Sequence, residues 1–263
     1  MNFRVIRALI IKYAFICSRN TFRCMDVIFW PVMDLLLWGL VTVYMMKVSN
    51  AVPTLVTFLI AAIILWNVTY RAQQVVSVSF LDDVWSRNLL NIFAAPIRAS
   101  EYVGAAYLMG AAQAVFVVLL LGGLAAMVHS FNLFTLGANL ALLFVNLLLM
   151  GWSMGLVTTG FILRFGPPAE ALAWAIPGIL QPVSAVFYPI SVLPSWLQPV
   201  AQCVPASHVF EGMRQLLATG AVDAHHLWCA FALNAFYMVV AAMTFRYFLE
   251  GARTRGFLAK YGA

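Results

Sequence analysis

The chain reads as an all-α membrane protein with six transmembrane helices. An N-terminal amphipathic interface helix precedes them, and two short re-entrant outer helices lie between spans 5 and 6. Three observations predict this. Residues 102–163 run for 62 positions without one Asp, Glu, Lys or Arg, which no water-soluble surface tolerates. Composition agrees: 64% of residues are hydrophobic and 9% charged, against about 25% charged in ordinary globular chains. The basic residues, finally, fall almost entirely on one side of the implied spans. At 263 residues there is room for about six spans of about 20 residues each and little else. A single membrane domain, 1–263, is therefore expected, with 1–25 as the interface helix and 26–263 as the bundle.

Backbone groups in hydrocarbon must bond within their own segment, so each apolar run is read as helix. Residues 3–24 carry Arg4, Arg7, Lys12, Arg19 and Arg23 and are too charged to span. Phe3, Ile6, Leu9, Ile10, Tyr13, Ile16 and Cys17 share one side of a helical wheel, so this stretch is expected to lie in the interface. A plain basic tail is the alternative. No uninterrupted apolar core or cleavage site marks a signal peptide here.

Span 1 is predicted over 26–46, turning at Lys47-Val48-Ser49-Asn50. Span 2 begins near Pro53, a residue suited to a first helical turn, and continues to about Phe80. Spans 3 and 4 cover 102–128 and 136–163, with a turn at His129-Ser130-Phe131-Asn132. Arg164-Phe165-Gly166-Pro167-Pro168 ends span 4. Span 5 is read over 169–187 and span 6 over 225–249. Between them Pro177, Pro182, Pro189, Pro194, Pro199 and Pro205 prevent one continuous helix. The segment stays apolar, so Pro194–Val204 and Ser207–Thr219 are read as short helices dipping into the outer leaflet, with Gly220 closing the second.

Twelve basic residues fall on the N-terminal side of these spans: five before span 1, Arg87, Arg98, Arg164, Arg246, Arg253, Arg255 and Lys260. Lys47 and Arg214 fall opposite, and Arg71 lies within span 2. This asymmetry predicts both termini in the cytosol and an even number of spans. It also accounts for the net charge of +6 without nucleic acid as a partner.

Most catalytic chemistry is absent. The three lysines follow Ile11, Met46 and Ala259, so no Gly-Lys phosphate loop exists and ATP hydrolysis is not expected in this chain. His225 and His226 beside Asp223 would point apart on a helix, so no metal site is expected. Cys203 and Cys229 both read as outward, which leaves a disulfide open beside the reading of small buried residues. Gly151-Trp152-Ser153-Met154-Gly155 matches a serine-nucleophile pattern, and six spans with this serine resemble a rhomboid-type intramembrane protease. Depth argues against it: Ser153 lies about 25 Å along span 4, at 1.5 Å per residue, far from the histidines at the outer start of span 6. Small-xxx-small packing explains Gly151 and Gly155 better. An ion-coupled secondary transporter would call for paired intramembrane carboxylates or an internal repeat, and neither is evident.

Charges within spans usually have partners. Asp34 and Arg71 sit at matching depth in adjacent antiparallel spans, about 12–13 Å from the inner ends. An Asp34–Arg71 ion pair is expected. Its alternative is a snorkelling Arg71 with Asp34 facing an aqueous cavity. After span 2, Asp82 and Asp83 open a stretch ending at Pro96, with Leu81, Trp85, Leu89 and Ile92 at helical spacing. A short amphipathic helix over 82–96 is predicted, either awaiting a cytosolic partner or lying on the membrane.

Taken in order, four pieces resemble the permease subunit of ABC-2 type exporters across essentially the whole chain: the basic interface helix, Phe29-Trp30-Pro31-Val32-Met33-Asp34-Leu35-Leu36-Leu37-Trp38-Gly39 in span 1, Arg87-Asn88-Leu89-Leu90-Asn91-Ile92-Phe93-Ala94-Ala95-Pro96-Ile97-Arg98 after span 2, and the proline-rich run from Phe187-Tyr188-Pro189 into Pro205-Ala206-Ser207-His208. The resemblance implies a half-transporter in a bacterial-type cell (inner) membrane. It would form a homodimer with a second copy and be driven by two cytosolic ATPase subunits that hold the ATP and Mg. No cofactor is implied in the chain itself. The 82–96 helix, with Asp82, Asp83, Trp85, Arg87, Asn88 and Asn91, would couple to the ATPase. Implied cargo is amphipathic: a lipid-linked glycan, a lipid or a drug. Trp30, Trp38, Trp66, Tyr70, Trp174 and Tyr188 either line its path or form interface belts.

Overall fold

The computed structural model describes residues 2–49, 53–129 and 131–254. Asn50 and Ser130 of the two outer turns, and Arg255 and Lys260 of the C-terminal basic group, lie outside the described residues. Every regular element among them is helical. Five helices are long and apolar enough to cross a membrane: α2 (Thr21–Ser49), α3 (Pro53–Trp85), α5 (Ala99–His129), α6 (Ala138–Phe165) and α10 (Ala224–Thr254). The shortest, α6, has 28 residues, about 42 Å at 1.5 Å per residue, enough for about 30 Å of hydrocarbon.

The segment read as span 5 differs from the other five. A 3-10 turn at Pro167–Ala171 leads into α7 (Leu172–Val183), which has only 12 residues and contains Pro177 and Pro182. That is about 18 Å of helix. It ends at Ser184, and Ala185 then takes a left-handed φ of 54°. Two prolines in 12 residues remove two helical hydrogen bonds, so length fails here although hydropathy does not.

The N-terminal helix α1 (Phe3–Arg19) stops earlier than the predicted residue 24. Asn20 is extended, and its side-chain oxygen accepts from the backbone N–H of Phe22 at 3.1 Å and Arg23 at 3.3 Å. An asparagine in that role starts a new helix, so α2 begins at Thr21 with one residue as the joint. The apolar stripe of α1 is only partly toward lipid. Ile6, Leu9 and Tyr13 are buried against the bundle, whereas Phe3 is 84% exposed.

The centre of the bundle is α3, packed against α2, α5, α6, α7 and the helix Pro205–Thr219. It meets α6 closely: a Cβ on Gly151 would fall 2.5 Å from the Thr69 carbonyl oxygen, and one on Gly155 2.7 Å from Val76 Cβ. The small-xxx-small reading of these glycines therefore holds. Side-chain amides and hydroxyls stitch the helices where water is excluded. Thr69 Oγ1 donates to the Leu147 carbonyl at 3.1 Å, Gln74 Nε2 to the Ala173 carbonyl at 2.8 Å, and Asn234 Nδ2 to the Asn146 carbonyl at 3.0 Å.

Between α7 and α10 the chain forms α8 (Gln198–Gln202) and α9 (Pro205–Thr219). The first is shorter than predicted because residues 194–197 form a turn. The second begins two residues early, with Pro205 in its first turn, and Gly220 ends it at φ 78° as expected. Val209, Phe210 and Met213 are buried, so α9 packs on the bundle as a roof over one end. The other end is closed by α1, the α3–α5 connection and the C-terminal parts of α6 and α10, around a second apolar cluster that includes Phe80, Leu81, Tyr102 and Phe245.

Candidate functional site

The predicted helix over 82–96 is not one helix. The α3 helix runs on through Asp82 and Asp83 to Trp85. Arg87 then takes φ 54°, while its N–H bonds the Val84 carbonyl at 3.1 Å and that of Asn88 bonds the Asp83 carbonyl at 2.9 Å. This is a Schellman termination with arginine at the left-handed position. A separate six-residue helix, α4 (Leu89–Ala94), follows. The acids that were to open a helix close one instead. Trp85 is 49% exposed, and Arg87 and Asn91 are exposed with Asn88 half-buried. Leu81, Leu89 and Ile92 are buried in the bundle, rather than forming, with Trp85, a face for a cytosolic partner or the membrane.

Asp82 and Asp83 are not offered to a partner. Asp83 is 1% exposed and forms an ion pair with Lys12, while its second oxygen accepts from the Tyr102 hydroxyl at 2.7 Å. Asp82 pairs with Arg23. Nearby, Glu101 accepts from the backbone N–H of Asn2 at 2.6 Å and of Arg98 at 3.1 Å. These contacts tie α1 and the first turn of α2 to the ends of α3 and α5. Burial, with the Asp83 and Asp82 charges adding to it, pushes the Tyr13 hydroxyl well above its ordinary value, so the phenol stays neutral inside the clamp. Sequence reasoning missed this clamp because it assigned the basic residues of α1 to lipid headgroups. Two consecutive acids at the inner end of a span were the available signal.

The Asp34–Arg71 pair is also corrected. Arg71 is 2% exposed; its Nη1 lies 3.1 Å from Asp26 Oδ2 and its Nη2 donates to the Asp26 carbonyl at 2.9 Å. Asp34 is exposed, and none of the ion pairs among the described residues includes it. Equal depth does not give equal direction. Eight residues at about 100° each set Asp26 and Asp34 about 80° apart around α2, and Arg71 meets the Asp26 side.

Asp34 instead opens on a cleft of about 280 Å³ between α2, α3 and α7, lined by Trp30, Trp38, Trp66, Tyr70, Trp174 and Arg71 among others. The aromatic residues singled out in the sequence thus converge, with one exception. Tyr188 donates its hydroxyl to the Pro182 carbonyl at 2.7 Å, and Phe187 takes the place at the cleft, stacked 4.6 Å from Trp38. A second cleft of about 260 Å³ lies toward α1, lined by Tyr13, Arg23, Asp26, Asp82 and Trp85; Arg71 and Trp174 line both.

At the α9 end, Arg214 pins the irregular segment after α7. It donates to the carbonyls of Ala185 and Tyr188, lies 3.1 Å from Glu211, and covers the Phe58 ring at 4.3 Å. Burial lowers its pKa and Glu211 opposes the shift. Glu211 also accepts from the Ile190 N–H at 2.7 Å. His208 and His226 face each other with Nδ1 atoms 3.4 Å apart. No three His, Cys, Asp or Glu side chains converge on a metal position among the described residues, and all four cysteines are free thiols. The Ser153 hydroxyl donates to the Met150 carbonyl at 2.8 Å, within its own helix.

Compared with family models and with curated proteins, the sequence matches none.

Proposed function

We propose that the chain is the membrane-spanning half of an ATP-driven exporter of the ABC-2 type. It works as a homodimer with two cytosolic ATPase subunits, which supply ATP and Mg, and moves an amphipathic cargo (lipid-linked glycan, lipid or drug) out of the cytosol. In this reading the α1 end faces the cytosol, both termini lie there, and the membrane is a bacterial-type inner membrane. The segment from Pro167 to Phe187 makes the sixth crossing; in its proline-broken α7, Ala173 and Pro177 are buried and Pro177 lines the cleft, while Trp174 and Ile179 stay exposed. Such interruptions are tolerated where they line a cavity rather than face lipid. The α8 and α9 helices form a re-entrant outer cap.

One observation carries the reading. The central helix of the bundle lines the aromatic cleft at mid-length, through Trp66, Tyr70 and Arg71, and ends at an elbow where Trp85, Arg87 and Asn91 are exposed. The sequence has no phosphate-binding loop, so force must enter through a surface. A push on Trp85 travels along α3 itself to the cleft, and one on Arg87 or Asn91 reaches α3 through its C-terminal turn, a rigid-body coupling.

The test is co-expression with an ATPase encoded beside this gene, followed by purification through a tag on the membrane chain. Stoichiometric recovery of the ATPase supports the reading, and Trp85→Ala or Arg87→Glu should then abolish transport while ATP hydrolysis and membrane insertion persist. Recovery of no nucleotide-hydrolysing subunit overturns the reading. Unchanged transport in both variants removes the coupling role of the elbow.

A further inference from the structure

Asp34 lies within the spanning helix α2 and makes no ion pair among the described residues. It sits on α2 amid Met33, Leu36, Leu37 and Leu40, all exposed large hydrophobics. Arg71, its expected partner, gives its guanidinium to Asp26. An ionised carboxylate without a cation is costly at membrane depth and is a functional-site hypothesis by default.

Its surroundings specify what would satisfy it. On α2, Trp30 and Trp38 lie four residues before and after Asp34, so the three form one stripe. Across the cleft, Trp66 and Tyr70 form a matching pair one turn apart on α3, and Trp174 closes the α7 side. Aromatic faces attract cations, tryptophan most strongly, and more so when water is excluded. Asp26 and Asp34 with Arg71 sum to one negative charge, so the local balance also calls for a single positive one. The cleft, at about 280 Å³, is near the lower limit of about 300 Å³ for small-molecule sites. It fits a headgroup and the start of an apolar chain.

We propose that this cleft binds an amphipathic monocation, with an ammonium-type centre at Asp34 flanked by the indoles and an apolar tail leaving toward lipid. Arg71 also lines the cleft, so a carbonyl or ester oxygen beside the cation lies next to a positive charge. Calling the ligand cargo rests on the exporter reading, whereas the binding itself does not.

Three amphiphiles with the same twelve-carbon tail separate the alternatives: dodecyltrimethylammonium, dodecyl maltoside and dodecyl phosphate. Each is titrated below micelle formation into the full chain in lipid nanodiscs, following tryptophan fluorescence, with no ATPase present. The cation should bind saturably and at least about tenfold more tightly than the others, the scale of a desolvated charge contact. Asp34→Asn should remove that preference and Asp34→Glu should retain it. Trp38→Leu should weaken the cation and leave the phosphate unchanged. Equal binding of all three, or a preference for the glycoside or the phosphate, overturns the proposal, as does an undiminished preference in Asp34→Asn. If Asp34→Asn does not fold, the wild-type ranking decides alone. Failure to recover an ATPase would sink the exporter reading while leaving this ranking untouched.

Discussion

Arg71 is held by Asp26, with 3.1 Å between Nη1 and Oδ2, and not by Asp34. One guanidinium therefore joins the beginning of α2 to the middle of α3. It leaves the second carboxylate of α2 to the cleft. The two acids have different environments and should respond differently to removal.

Asp26→Asn should destabilise the chain by about 1–3 kcal/mol, because the buried Arg71 guanidinium keeps the residue-26 carbonyl but loses its counter-charge. At about 2–4 °C per kcal/mol for chains of this size, thermal unfolding in nanodiscs would resolve it. A cycle of Asp26→Asn with Arg71→Gln should give a non-additive term, whereas Asp34→Asn with Arg71→Gln should be close to additive. The reverse pattern would restore the Asp34–Arg71 pairing.

Gly151→Ala should cost about 1–3 kcal/mol, the usual range for overpacking a tight contact, because its new methyl would meet the Thr69 carbonyl oxygen at 2.5 Å. Gly123→Ala, with nothing within 4 Å, is the control and should leave unfolding within about 0.5 kcal/mol of the parent.

The clamp at the α1 end gives a third expectation. Lys12→Met should leave Asp83 buried beside only the Tyr102 hydroxyl and loosen α1 from α3. Limited proteolysis near Asn20 should then quicken several-fold while the core of the bundle stays protected. The double variant Lys12→Met with Asp83→Leu should restore resistance, because an apolar pair of similar volume replaces a buried ion pair at little cost. Unchanged cleavage in Lys12→Met would mean the clamp does not hold α1.

The His208 imidazole is held below its ordinary pKa, chiefly by burial, with the nearby His226 and His225 lowering it further. The bond to the Gln202 carbonyl and the Glu211 charge oppose this. A depressed histidine favours the neutral form in the folded state. Its contribution is complete above the unfolded value of about 6.5 and is lost as pH falls through the folded value. The α9 roof should loosen on going from pH 7.5 to 5.5, and His208→Gln should flatten that dependence in thermal unfolding.

How much of this was legible can be judged from particular residues. Gly151 and Gly155 announced a close helix contact because only absent side chains permit one, and their spacing is local. Leu81, Leu89 and Ile92 showed as apolar at helical spacing, but not that they turn into the bundle from two separate helices. Helix ends were less legible: nothing in Arg87 itself signals a left-handed turn, and Asn20 divides a continuous basic-apolar stretch through one side-chain hydrogen bond. Pairing was least legible. Asp34 and Asp26 both lie within reach of α3 by depth, and only the azimuth of α2 chooses between them. Lys12 and Asp83 are 71 positions apart, and composition alone favoured lipid as the partner of the lysine. The aromatic cleft was seen as a set of residues, but Phe187 replaced Tyr188 because Tyr188 turns to bond Pro182.

The joint at Asn20 has a mechanical consequence. With α1 anchored to the tip of α3 through Lys12 and hinged to α2 at one residue, it acts as a connecting rod. Any swing of the α3 tip is transmitted to the base of α2, where Asp26 holds Arg71. A displacement beginning at the elbow would therefore arrive at the cleft along α3 and also by way of α2, reached through α1 and through the Asp82–Arg23 pair, and these routes must move in step.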